Sequence, residues 1–173
     1  MFFLHFNFLA CSLRDLDTDA SFASDVALWT KTNSTPPYYS SCYGENILGG
    51  YGIGGSFSRT YTDLPPHDIV YFSISFLMID TWSTSNDKFT IKIGDLQYEM
   101  NGLGSISSSW TAQVCGKWWE YDLGKNDYVG WVLHNSSTIS IEFIDRLVSS
   151  PNDASFGVRD IYLRFDNKTG NPV

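Results

Sequence analysis

The sequence predicts an all-β chain: an antiparallel two-sheet jelly-roll β-sandwich with an N-terminal strand extension. Three observations carry this. The run from Leu64 to Trp82, LPPHDIVYFSISFLMIDTW, alternates without a break. Val70, Phe72, Ile74, Phe76 and Met78 make one apolar face. Ile69, Tyr71, Ser73, Ser75, Leu77 and Ile79 make the other, polar in the middle and apolar at both ends. β-Branched and aromatic residues dominate the run, and Pro65-Pro66 blocks a preceding helical turn. Next, about ten short strand-like runs follow one another with turn signals roughly every 8–12 residues. Finally, no stretch shows a convincing helical period.

The N-terminal run MFFLHFNFLACS places Phe2, Leu4, Phe6 and Phe8 on one side and Phe3, His5, Asn7 and Leu9 on the other. That is strand periodicity. As a secretory leader it is poorer, because no Lys or Arg precedes it and His5 and Asn7 interrupt it. Residues 1–13 are therefore read as a strand segment, 14–166 as the sandwich and 167–173 as a polar tail. The aromatic side of the first strand needs a partner. It is either the first strand of its own sandwich or a donor strand lodged in a neighbouring copy. Strand addition supplies a backbone ladder and side-chain pockets. Repeated head to tail, such a contact does not close, and a filament grows.

Leu16–Ser24 reads as a loop and Val26–Thr32 as a short strand carrying Trp29. The Pro/Ser/Thr/Tyr-rich stretch Thr32–Ser41 follows. Gly44–Gly55 is glycine-rich but lacks GK[ST] and a following helix pattern, so phosphate-loop and dinucleotide readings fail. Glycines there suit close approach of backbones at a bulged strand. Ser56–Thr62 alternates Phe57, Arg59 and Tyr61. Lys88–Ile93 and Leu96–Met100 form a hairpin around Gly94-Asp95. Trp110–Trp118 is a mixed strand. Tyr128–His134 and Thr138–Leu147 form a second hairpin. Phe156–Phe165 closes the sheet, with Val158, Ile161, Leu163 and Phe165 inward around a kink.

Several of these pieces together resemble a family of secreted jelly-roll domains abundant in ciliate protists. They are GENILGGYGIGG (Gly44–Gly55), LPPH and IDTW at the ends of the central run, VCGKWW (Val114–Trp119), LHNSSTISI (Leu133–Ile141) and FGVRDI (Phe156–Ile161). The order is kept from about Leu13 to Phe165. The resemblance implies fold and an extracellular, secreted location, and no defined activity. It also implies a disulfide, since the family's cysteines matching Cys42 and Cys115 appear together. That bridge would close a loop of about 70 residues, worth roughly 2–4 kcal/mol. Cys11 is left over, either buried and inert or an inter-chain thiol.

Composition narrows function. A net charge of −8 without a basic cluster excludes nucleic acid as a partner. Hydrophobic content of 43% excludes disorder, and no apolar run is long enough for a transmembrane segment. No G-x-S-x-G elbow or nucleophile–base spacing occurs, so no enzyme and no catalytic residue is expected. Asp80, Asp87 and Asp160 are candidate ligands for a structural Ca²⁺, and no other cofactor is expected. Asn33, Asn135 and Asn167 open N-glycosylation motifs. Six tryptophans exceed what one core needs, and Trp118-Trp119 puts one ring on each face of an extended chain.

Two functions compete on these grounds. The first is an extracellular structural subunit, a homopolymer joined through Phe2, Leu4, Phe6 and Phe8. The second is a lectin-like, carbohydrate-binding module that stacks glycans on Trp118 and Trp119.

Overall fold

The computed structural model of the chain describes residues 11–80, 82, 86–101, 110–111, 115–116 and 122–167. In chain order the elements are β1 (Cys11–Asp15), α1 (Phe22–Ala27), β2 (Thr30–Thr32), β3 (Tyr39–Cys42), β4 (Glu45–Gly49), β5 (Ser56–Tyr61), β6 (Ile69–Asp80), β7 (Lys88–Ile93), β8 (Leu96–Asn101), β9 (Trp110–Thr111), β10 (Asp122–Leu133), β11 (Ile139–Arg146) and β12 (Ala154–Asp166). Two antiparallel sheets pack face to face as the predicted jelly-roll sandwich. The larger runs β3-β4-β12-β6-β10-β9, with β1 also on β12; the smaller runs β2-β5-β11-β7-β8.

Alternation in β6 works as expected. Val70, Phe72, Ile74, Phe76 and Met78 are all buried against the smaller sheet. Rings from both sheets meet in the middle. Phe89 of β7 lies 4.6 Å from Phe76 and 4.4 Å from Phe156, centroid to centroid, and Trp29 stacks on Phe143 at 5.3 Å. Offset and tilted ring pairs of this kind add to the area they bury. The hairpin of β7 and β8 turns at Gly94-Asp95 as predicted, Ile93 opposite Leu96. The kink in the closing strand is a bulge. The β12–β6 register slips between Arg159 and Tyr162, and Asp160 between them takes φ +51. In the glycine-rich stretch, Gly49 shows the close approach inferred for it: at φ +83, a Cβ there would stand 2.6 Å from the carbonyl oxygen of Phe156.

Five expectations need correction. Tyr128–His134 and Thr138–Leu147 do not form a hairpin, because β10 pairs with β6 and β9 in the larger sheet while β11 crosses to pair with β5 and β7 in the smaller. Leu16–Ser24 is not all loop, because α1 begins at Phe22. Val26, assigned to a strand, is on that helix, one turn from Phe22; the two are its buried face. Trp29 precedes the next strand rather than riding on it, and β2 is only Thr30–Thr32. Twelve strands, not ten, occur among the described residues. The proposed boundary at residue 13 falls inside β1, where Leu13 pairs with Leu163 of the same chain. Phe2, Leu4, Phe6 and Phe8 lie outside the described residues.

One polar knot crosses the core. The Asp15 carboxylate of β1 accepts from Tyr61 Oη at 2.6 Å and Trp29 Nε1 at 3.2 Å, and pairs with Arg59 at 2.7 Å. Tyr61 and Arg59 are on β5, so the knot ties the edge of one sheet to the other. Burial, then the Asp15 charge, push the Tyr61 phenol far up.

Candidate functional site

The outward side of the larger sheet changes character along β6. At the Ile79 end a small apolar cluster of Cys42, Ile47, Leu77 and Ile79, with Cys115 against it, covers the sheet. The Cys42–Cys115 disulfide lies here, so the pairing implied by the resemblance is present. Next comes a charged row. Ser75 donates to Asp127 Oδ1 at 2.6 Å and lies 3.5 Å from Asp160 Oδ2, while Arg159 reaches Asp160 at 3.2 Å and Glu45 at 3.2 Å.

Beyond that row the face turns aromatic and open. Register places Ser73 beside Val129 and Tyr162, and Tyr71 beside Trp131 and Arg164. Arg14 of β1 stands opposite Tyr162, and Ser12 opposite Arg164. The guanidinium of Arg164 lies 4.4 Å from the centre of the Tyr71 ring, and that of Arg14 lies 5.1 Å from the Tyr162 ring. Trp131 carries no such cover. Its side chain is 58% exposed, between Val129 at 65% and Leu133 at 54% on the same strand. These residues border a depression of about 370 Å³, lined by Tyr71, Ser73, Val129, Trp131, Tyr162 and Arg164 among others. Beneath it Gly130 lets the core ring of Phe72 pack close under β10, since a Cβ there would sit 2.7 Å from that ring.

The other sheet's outward side is different in kind. Lys88 and Glu99 pair at 2.8 Å, Lys92 and Glu142 at 3.5 Å, and Thr60 meets Ser140 at 2.8 Å. Such exposed pairs contribute little and suit water. An apolar stripe on alternate positions of β10 does not; contiguous exposed apolar surface with a polar rim marks a binding face.

The face ends at an imidazole pair. His67 Nδ1 is 2.6 Å from the Pro65 carbonyl, and His67 Nε2 is 2.7 Å from His134 Nδ1. A carbonyl only accepts, so His67 carries its proton on Nδ1 and His134 Nδ1 donates to His67 Nε2. His67 is thus a structural donor, as its place after Pro65-Pro66 suggested. Burial first, and the His67 ring second, hold the His134 pKa below that of a free imidazole, against smaller upward pulls from Thr138 and Asp95. A depressed pKa contributes stability that is complete above the unfolded value, about 6.5, and lost as pH falls through the folded one. The urea midpoint should therefore drop as pH is lowered from about 7 to 5, and His134→Gln should flatten that slope. An unchanged slope in the variant would show that other groups set it.

The remaining candidates are dispersed. Trp118 and Trp119 lie outside the described residues. Asp80 packs its carboxylate on Gly116, Asp87 accepts from Val148 N and Ser149 N at 2.8 and 3.0 Å, and Asp160 pairs with Arg159. The structure does not bring these three together, and among the described residues no group of three His, Cys, Asp or Glu side chains gathers to hold a metal. Asn33, at φ +56, and Asn135 and Asn167 are all exposed. Cys11 is an exposed free thiol at the start of β1. Among the described residues no helix is long and apolar enough to cross a membrane.

Neither a comparison with models of protein families nor one with curated proteins finds a match. Solved structures do resemble the chain. One is the CBM36-1 domain of a multidomain xylanase from the hindgut metagenome of Trinervitermes trinervoides, at 12% identity and TM-score 0.43, covering 84% of this chain and 98% of that one. Another is the carbohydrate-binding module TmCBM27, described by its mannan recognition, at 10% identity and TM-score 0.46, covering 91% and 100%. A third is the Agl-KA catalytic domain, at 11% identity and TM-score 0.48, covering 94% of this chain and 28% of that one. Likeness at this level says nothing about a ligand.

Proposed function

We propose that this chain is a secreted glycan-binding module, not an enzyme, and that sugars stack on the outward face of the larger sheet. The observation that carries the reading is the open Trp131 ring beside the Tyr71 and Tyr162 rings. All three line one depression, and Ser75, with Asp127 and Asp160 bonded to it, stands one outward position further along β6 from Ser73. A pyranose has an apolar side that suits an exposed indole and a rim of hydroxyls that suits carboxylate and serine acceptors. The rings are fixed by strands, so little freedom is lost on binding. A disulfide inside a buried cluster supports the secreted location, because such bridges persist in oxidising compartments.

Trp131→Ala is expected to weaken binding to a soluble polysaccharide roughly thirty-fold, the usual scale for a central tryptophan. Affinity electrophoresis across a polysaccharide panel reads this directly. The ring is more than half exposed, so the variant should keep its far-ultraviolet spectrum and unfolding midpoint. Two results would replace the reading. One is a panel that binds nothing. The other is native dimers or filaments in sedimentation that Trp131→Ala dissolves, which would make a second copy the occupant.

A further inference from the structure

Resting on that glycan-binding reading, we propose that the ligand is an acidic polysaccharide, and that Arg14 and Arg164 take the carboxylate of a uronic acid unit while its ring lies on Trp131. The two arginines sit on adjacent strands of one face in diagonal register: Arg14 faces Tyr162, and Arg164 faces Ser12. Each lays its guanidinium over a tyrosine one strand further in, so both lean the same way across the sheet, toward the depression. The result is a layer in which cations and rings alternate, with the Trp131 indole as its open end.

The charges there are not matched. Arg164 pairs with Asp166 at 3.0 Å, a bridge about 40% exposed and therefore weak, while its Nε is buried without a hydrogen-bond partner. Arg14 has no acidic partner among the described residues; its guanidinium lies over the Tyr162 ring. Asp160, by contrast, is held by Arg159, and Asp127 by the Ser75 hydroxyl. The β1–β12 side of the depression is thus locally positive in a chain of net charge −8. Long-range repulsion of a polyanion is screened beyond about 8 Å at physiological salt, so the local pair decides the sign. A planar guanidinium stacked on a ring keeps its donor edge free, and that edge fits a carboxylate with two parallel bonds.

Calorimetry with the intact oxidised protein tests this, using polygalacturonate and a neutral β-galactan. Polygalacturonate should bind at least about ten-fold more tightly, and the margin should shrink as salt rises from about 0.05 to 0.5 M. Arg14→Gln should abolish the margin by lowering polygalacturonate affinity, with galactan affinity as the reference against which the loss is read. Arg14→Lys should restore part of it, because charge without the fork keeps only the point attraction. Trp131→Ala should weaken both polymers alike. If Trp131→Ala weakens both but Arg14→Gln changes neither, the glycan site stands and the acidic-sugar inference falls. Equal affinity for the two polymers, or binding of dextran sulfate in place of polygalacturonate, overturns it too. If nothing binds, both readings fall together.

Discussion

Asp15→Ala is expected to cost about 3–5 kcal/mol of folding stability, which for a chain of this size lowers Tm by roughly 10 °C. The carboxylate is 1% exposed and serves three donors: Arg59, Tyr61 and Trp29. Truncation leaves a guanidinium, a phenol and an indole facing the space it occupied. The penalty comes less from the pair's own attraction than from the charge left unmatched, so Asp15→Ala/Arg59→Met should recover part of the loss. Protonation gives a second, independent sign. Burial raises the Asp15 pKa, and Tyr61 and Arg59 only partly oppose it. For an acid raised in this way, the contribution is complete below the unfolded value, about 4, and is lost as pH rises through the folded one. The gap between native and variant urea midpoints should therefore narrow from about pH 4 to pH 7. A variant as stable as the native chain, or a gap that widens with pH, would show that the knot is a bystander.

Half of that knot was legible in the sequence. The alternation of Phe57, Arg59 and Tyr61 puts an arginine on the inward side of β5, which is a demand for an acid. Which acid answers depends on β1 crossing to the far edge, and no local pattern encodes a pairing over that distance. The same division runs through the fold. β6, the hairpin of β7 and β8, and the kinked β12 were read correctly because each has one clean period or turn. α1 was missed because Phe22 and Val26, spaced i and i+4, are a single helical repeat inside a polar stretch. For the proposed site, the surplus of tryptophans points to stacking, and the expected pair Trp118-Trp119 lies outside the described residues. Trp131 has its own signal in the period two of β10, where Val129, Trp131 and Leu133 share an exposed side. The arginines could not be found that way. Arg14 and Arg164 are 150 residues apart in the chain and meet only through the β1–β12 register.

Replacing both Cys42 and Cys115 with alanine is expected to cost about 4 kcal/mol. The bridge spans 73 residues, and on the chain-entropy view most of its effect is to restrict the unfolded state. Alanine rather than serine keeps a hydroxyl out of the cluster with Ile47, Leu77 and Ile79, so the loss measures the cross-link more than a buried polar group. Urea midpoints of the native protein, the native protein in reductant and the double variant should place the last two together and well below the first. Function should not follow stability. Leu77 under the bridge and Tyr71 beside Trp131 are six residues apart along β6, roughly 20 Å of extended strand. Between them lies the charged row around Ser75, which is fixed by its own hydrogen bonds. At temperatures where the variant is fully folded, its polysaccharide affinity should therefore match the native value within about two-fold. A larger loss would mean that the cap forms one wall of the site, and that the ligand extends over Ser75 and Asp127 toward the disulfide. Unchanged affinity together with an unchanged midpoint would mean that packing alone holds the cap, leaving the cross-link to act on the unfolded chain less than its span requires.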